Sequence, residues 1–185
     1  MRLFIVGYKS SGKTTLGRKL AKRLELAFVD LDEYIEQQEG KSIPEVFLEI
    51  GEKEFRRKER EALRQVINMD NILVSTGGGA PCHHDNMSLM EQWGDIIYLK
   101  VDDETLITRL KIDADHRPLI KGKTEEELRT YLADLRQRCE REYERARFVV
   151  DGNRAEIEII VEQLLKEKRS EFSSDSGTKS DDKRI

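Results

Sequence analysis

Near the start of the chain, the run Gly7-Tyr8-Lys9-Ser10-Ser11-Gly12-Lys13-Thr14 carries the fixed positions of the phosphate-binding pattern G-x-x-x-x-G-K-[ST], directly behind the apolar stretch Leu3-Phe4-Ile5-Val6. A phosphate tail needs several backbone N–H groups converging on it, and Gly7 and Gly12 permit the tight curl that brings them together. Lys13 then sets an ammonium on the β- and γ-phosphates, and the Thr14 hydroxyl is the expected Mg2+ ligand beside them. Leu16, Leu20 and Leu24 recur every four residues after the loop, so a helix follows and adds its positive N-terminal end. Ser10, Ser11, Gly12, Lys13, Thr14 and Thr15 are thereby expected to hold a nucleotide.

Other reactive residue types sit where apolar runs stop. Asp30 and Asp32 are two apart, so in extended geometry both carboxylates project to one side. One could orient Mg2+ and the other position a substrate hydroxyl for in-line attack, or the pair could cap the helix that follows. Gly77-Gly78-Gly79 follows a further apolar run and either bares backbone N–H groups to a ligand or forms a flexible turn. Arg56 lies in a charged helix start where i,i+4 pairs such as Glu54 with Lys58 are the ordinary expectation. The connection Asp115 to Gly122 suits a mobile lid that carries the Arg117 guanidinium onto phosphate, or an ordinary surface loop.

The elements that must position these residues follow from the hydrophobic pattern. Ala27 to Leu31, Ile72 to Ser75, Ile96 to Val101 and Phe148 to Val150 are short apolar runs separated by helical periodicity. Alternating β and α implies parallel strands with right-handed crossovers, helices on both faces, and ligands at the strands' C-terminal ends. Ser42 with Glu45, and Thr124 with Glu127, are capping boxes that open helices. Ile157, Ile160, Val161, Leu164 and Leu165 form a last amphipathic stripe, which ends beyond Lys168. We expect one domain over residues 1–169 and a disordered tail over 170–185.

Composition bounds the function. The chain has 185 residues, 38% of them charged, yet the formal net charge is only -4, which provides no field for nucleic acid. No apolar run approaches the ~20 residues that span a bilayer. A monomeric cytoplasmic protein without nucleic-acid or membrane partners is the expectation. Cys82 and Cys139, far apart in sequence, are expected to be two reduced structural thiols.

Taken in order, Gly7 to Thr14, Asp30-Leu31-Asp32, Phe55-Arg56, Gly77-Gly78-Gly79, Arg117-Pro118-Leu119 and Asp151-Gly152-Asn153-Arg154 resemble the shikimate kinase family, small ATP-dependent enzymes of the P-loop, nucleoside-monophosphate-kinase-like group. The resemblance runs from Met1 to about Leu165. It implies a three-layer α/β P-loop kinase fold with a five-stranded parallel sheet flanked by helices, plus substrate-binding and lid segments. It also implies transfer of the ATP γ-phosphoryl to the 3-hydroxyl of shikimate, with Mg2+ as cofactor, in aromatic amino-acid biosynthesis. On that likeness, Asp32 binds substrate hydroxyls as base or orienter, Arg56 holds the carboxylate, and Gly77, Gly78 and Gly79 present backbone donors. Asp30 helps Thr14 hold Mg2+, Lys13 neutralises the γ-phosphoryl, Arg117 reaches the nucleotide phosphates, and Arg154 lies beside the adenine.

The family usually has a substrate-binding arginine four residues before the tyrosine corresponding to Tyr143, and here that position is Cys139. Arg138, immediately before it, is the expected substitute, with Arg136 two residues earlier as the other neighbour that a small helix rotation or a local insertion would bring to the carboxylate. A gluconate or nucleotide kinase shares the phosphate loop and lid, but Arg56 with the triple glycine suits a compact polyol carboxylate. A nucleotide switch would call for N-K-x-D or D-x-x-G signatures, which the chain lacks.

Overall fold

The computed structural model describes residues 1–112, 122–154 and 156–175. The apolar runs form five parallel strands: β1 (Arg2–Val6), β2 (Ala27–Asp30), β3 (Ile72–Ser75), β4 (Asp95–Lys100) and β5 (Phe148–Asp151). Their order across the sheet is β2-β3-β1-β4-β5. Leu3, Phe4, Ile5 and Val6 have no exposed surface, as expected of a central parallel strand covered on both faces. The chain leaves β1 toward β2 on one side and later reaches β4 on the other, so the crevice at the C-terminal end of β1 is the topological switch point. The five-stranded α/β architecture expected from the pattern is the one observed.

The helices are α1 (Lys13–Leu24), α2 (Leu31–Glu39), α3 (Ile43–Ile67), α4 (Asn86–Trp93), α5 (Asp103–Ile112), α6 (Glu125–Tyr143) and α7 (Ile157–Asp175). Both capping boxes form: Ser42 N–H donates to Glu45 at 2.8 Å and Thr124 N–H to Glu127 at 2.7 Å. α3 is kinked at Gly51, whose φ of 73° and ψ of 170° leave the helical region, which glycine does at little cost. The α1–sheet contact depends on a missing side chain, since a Cβ at Gly17 would stand 2.6 Å from the Phe28 ring.

Register places the site residues. Asp30 of β2 pairs with Ser75 of β3, and Ile5 of β1 also pairs with Ser75. The carboxylates that follow β2, the glycines that follow β3 and the loop that follows β1 therefore emerge side by side. Two compact units divide the chain, Met1–Ala155 and Glu156–Ile185. In the second unit, α7 continues to Asp175, past the Lys168 at which the apolar stripe ends. None of the described helices is long and apolar enough to cross a membrane.

Candidate active site

The loop after β1 closes onto α1 through Gly12, whose φ of 99° lies in the left-handed region. Ser10, at φ 62°, holds the same kind of conformation without glycine's freedom, a strain of the sort found at ligand clamps. Lys13 is buried, and its ammonium donates to the carbonyls of Gly7 at 2.9 Å and Tyr8 at 2.8 Å. Arg109 of α5 reaches back and donates to the Ser11 carbonyl at 2.8 Å. Ser10, Gly12, Lys13, Thr14, Thr15 and Arg109 line a cavity of ≈ 310 Å³. Ser11 instead turns inward, its hydroxyl buried without a hydrogen-bond partner among the described residues.

Asp30 takes the capping role of the two readings and also contacts the phosphate loop. One oxygen caps α2, accepting from the N–H groups of Asp32 at 3.0 Å and Glu33 at 3.4 Å. The other accepts from the Thr14 hydroxyl at 2.7 Å. Hydroxyl and carboxylate oxygens are the hard donors that suit Mg2+. Asp32, on the first turn of α2, points elsewhere.

Asp32 lines a second, smaller cleft of ≈ 130 Å³ with Lys9, Phe47, Phe55, Arg56, Glu59, Tyr131 and the three glycines. Burial and the neighbouring Asp30 raise the Asp32 pKa above the ordinary carboxylate value, while the ammoniums of Lys9 and Lys13 pull it back. Arg56 donates to Glu59 at 2.9 Å and stands 3.7 Å from Glu52, leaving its Nε buried without a partner among the described residues. Glu59 is 1% exposed, and burial pushes its pKa up to about 7 against the opposing pull of Arg56.

The triple glycine is a matter of space. A Cβ at Gly77 would lie 2.7 Å from Asp32 Oδ1, one at Gly78 2.9 Å from the Lys9 backbone nitrogen, and one at Gly79 2.8 Å from an Arg56 terminal nitrogen. Each missing side chain is the room that a site group occupies. The Tyr143 hydroxyl donates to the Gly78 carbonyl, and the Tyr143 ring packs edge-on against Tyr8 at 4.9 Å. α6 thus buttresses the glycine loop and the phosphate loop together.

A family model described as Shikimate kinase matches residues 9–169. The chain belongs to the shikimate kinase family. Among its relatives, a shikimate kinase from Parabacteroides distasonis is 42% identical over 88% of this chain and 94% of its own length. The solved shikimate kinase from Bacteroides thetaiotaomicron superposes with a TM-score of 0.84 at 37% identity, covering 91% of this chain and 98% of that one. The Acinetobacter baumannii shikimate kinase, solved in complex with shikimate, gives 0.79 at 30% identity over 92% and 93%.

Against this shikimate kinase fold, the expected residues divide. Ser10, Gly12, Lys13, Thr14 and Thr15 gather at one cavity, Asp32, Arg56, Gly77, Gly78 and Gly79 at the other, with Thr14 and Asp30 paired beside them. Arg117 lies outside the described residues, as do residues 113–121 around it. Arg154 is exposed on the turn after β5 and does not line the nucleotide-side cavity, where Arg109 does.

Two expectations are corrected. Arg138 is exposed, its Nε directed to the Asp134 carbonyl of its own helix at 3.3 Å, and it does not line the acceptor cleft. Helical phase explains this, because the buried stripe of α6 is Leu128, Leu132, Cys139 and Tyr143, and a residue adjacent to Cys139 is rotated ~100° away. Arg136 is committed as well, paired with Asp103 and with Glu140 at 2.8 Å. Cys82 and Cys139 are not separate thiols but form a disulfide, with Cα atoms 5.3 Å apart. The fold returns α6 against the short turn after the glycines, which a sequence separation of 57 concealed.

Glu59, Arg109 and Lys9 were missed. The i,i+3 spacing of Arg56 and Glu59 was visible, but helices are full of such pairs and only burial distinguishes this one.

Proposed function

We propose that this chain transfers the γ-phosphoryl group of ATP to the 3-hydroxyl of shikimate, giving 3-phosphoshikimate and ADP. The observation that carries the reading is the small cleft in which Asp32 and Arg56 share one wall system beside the phosphate loop. At ≈ 130 Å³ it suits a compact polyol acid better than a nucleoside. Family membership and the shikimate complex of the Acinetobacter baumannii relative support the same substrate.

In this mechanism Arg56, held on its far side by Glu59, takes the acceptor carboxylate, and the glycine loop closes over the ring. Asp32 accepts the proton of the 3-hydroxyl as its oxygen bonds to the γ-phosphorus, and the bond to the β,γ-bridging oxygen breaks to release ADP. A raised pKa makes Asp32 the better proton acceptor. Lys13 exchanges the Gly7 and Tyr8 carbonyls for the phosphate oxygens, and Arg109 lies along the nucleotide side. Arg117, outside the described residues, is assigned to the same phosphates.

Thr14 and Asp30 are the residues that would hold Mg2+, and when bound it supplies charge neutralisation across the β- and γ-phosphates. Among the described residues no group of three or more His, Cys, Asp or Glu side chains stands ready for a metal. A Mg2+ that also drew on the substrate phosphates would need fewer protein donors than such a group supplies.

The test is product analysis by ³¹P NMR with purified protein, ATP, Mg2+ and a panel of shikimate, gluconate and nucleosides. Phosphorylation of shikimate at O3 alone is expected. Asp32→Asn should lower kcat on the order of 10²–10⁴-fold while ATP binding persists. Normal turnover by that variant would remove Asp32 from the mechanism.

A further inference from the structure

The acceptor cleft sets two acids, Asp32 and Glu59, against the single guanidinium of Arg56. With Asp32 and Glu59 ionised, one guanidinium leaves a formal charge of -1 on the three groups, before an anionic acceptor and a polyphosphate arrive. Helix α6 offers no remedy among the described residues. It presents Tyr131 and Leu135 to the cleft, its Cys139 is joined to Cys82, Arg136 is paired with acids, and Arg138 faces outward.

A second cation nevertheless lines the cleft, and it comes from the phosphate loop. Lys9 occupies one of the loop's free positions, where the phosphate-binding pattern specifies no residue type. Its backbone lies against Gly78, where even a Cβ would come within 2.9 Å of the Lys9 nitrogen, so the glycine lets this part of the loop reach the acceptor side. The Lys9 ammonium is close enough to Asp32 to oppose the rise in that carboxyl's pKa. Counting Lys9 with Asp32, Glu59 and Arg56 brings the formal charge to zero.

We propose that Lys9 is an acceptor-binding and specificity-determining residue, supplying the second positive charge that holds the carboxylate of the acceptor in a cleft to which α6 presents Tyr131 and Leu135. This rests on the proposed reading of shikimate as the acceptor. The phosphate loop of this chain therefore serves both substrates: Lys13 faces the nucleotide and Lys9 the acid.

The experiment compares wild type, Lys9→Met and Lys9→Arg on shikimate and on its neutral carboxamide, measuring kcat and KM for each acceptor and for ATP. Lys9→Met should raise the KM for shikimate about tenfold, as expected for loss of one charge-assisted contact, and leave the KM for ATP within about twofold. Lys9→Arg should restore most of that loss. On the carboxamide, Lys9→Met and wild type should agree within about twofold, because no anionic group is left to hold. An equal loss on acid and amide would overturn the inference, as would a lowered kcat with unchanged KM, which would place Lys9 at the transferring phosphoryl. Wild-type protein that turns over no shikimate overturns the proposed function itself and this inference with it, a failure visible before any variant is made.

Discussion

Reducing the Cys82–Cys139 bond is the perturbation whose size follows most directly from the structure. The bond closes a loop with a sequence separation of 57, and the chain-entropy model assigns such a loop about 4 kcal/mol of stabilisation, exerted by restricting the unfolded chain. For a protein of this size each kcal/mol moves Tm by about 2–4 °C, so full reduction should lower Tm by about 10 °C. The assay is thermal unfolding followed by circular dichroism, with and without a dithiol reductant, beside thiol titration in denaturant. The reductant donates two electrons and two protons to the cystine, gives two thiols on the protein, and itself closes to a cyclic disulfide. Oxidised protein should titrate with no thiols and reduced protein with two. The same reductant should leave the Tm of Cys82→Ala unchanged, which separates the cross-link from general effects of the reagent. Two titratable thiols before reduction, or an unaltered Tm after it, would refute the reasoning.

Two neighbouring glycines should give different kinetic signatures. A methyl at Gly79 meets the end of the Arg56 side chain, so Gly79→Ala should raise the KM for shikimate several-fold and spare ATP. A methyl at Gly78 meets the backbone of the phosphate loop, so Gly78→Ala should impair both substrates, and steady-state kinetics read the difference. Glu59, with its pKa pushed up from 4.5 to about 7, makes the folded protein bind a proton that the unfolded chain releases. Its contribution to stability is present below pH 4.5 and is lost as the pH rises through 7, by about 3 kcal/mol at most. Urea unfolding from pH 5 to 8 should show that fall in wild type and a flatter profile in Glu59→Gln.

The sheet was legible because its central strands β1, β3 and β4 are buried along nearly their whole length and read as continuous apolar runs, and the capping boxes because their chemistry is local. The phosphate loop was legible for the same reason, its geometry being set within eight residues. What stayed hidden depends on where separate helices meet. Arg109 sits in an ordinary helical stretch and acquires meaning only when α5 brings it 2.8 Å from the Ser11 carbonyl. The position of Arg138 was readable in principle. The stripe from Leu128 through Leu132 to Tyr143 fixes which side of α6 is buried, and extending that phase selects Cys139 over its neighbour. The disulfide was beyond reach, since composition speaks to the redox habits of a compartment and not to the distance between two turns of chain.

Asp30 joins parts of the molecule that are usually considered one at a time. A single side chain finishes a strand, starts the helix that carries Asp32, and receives the hydroxyl of Thr14. The donor and acceptor halves therefore share a hinge pin one carboxylate wide. Removing it as Asp30→Ala deletes a helix cap and the oxygen proposed for Mg2+ in the same stroke, so lost activity in that variant could not be credited to the metal alone. Asp30→Asn keeps a capping oxygen while surrendering the charge, and the contrast between the two substitutions separates the pin from the ligand.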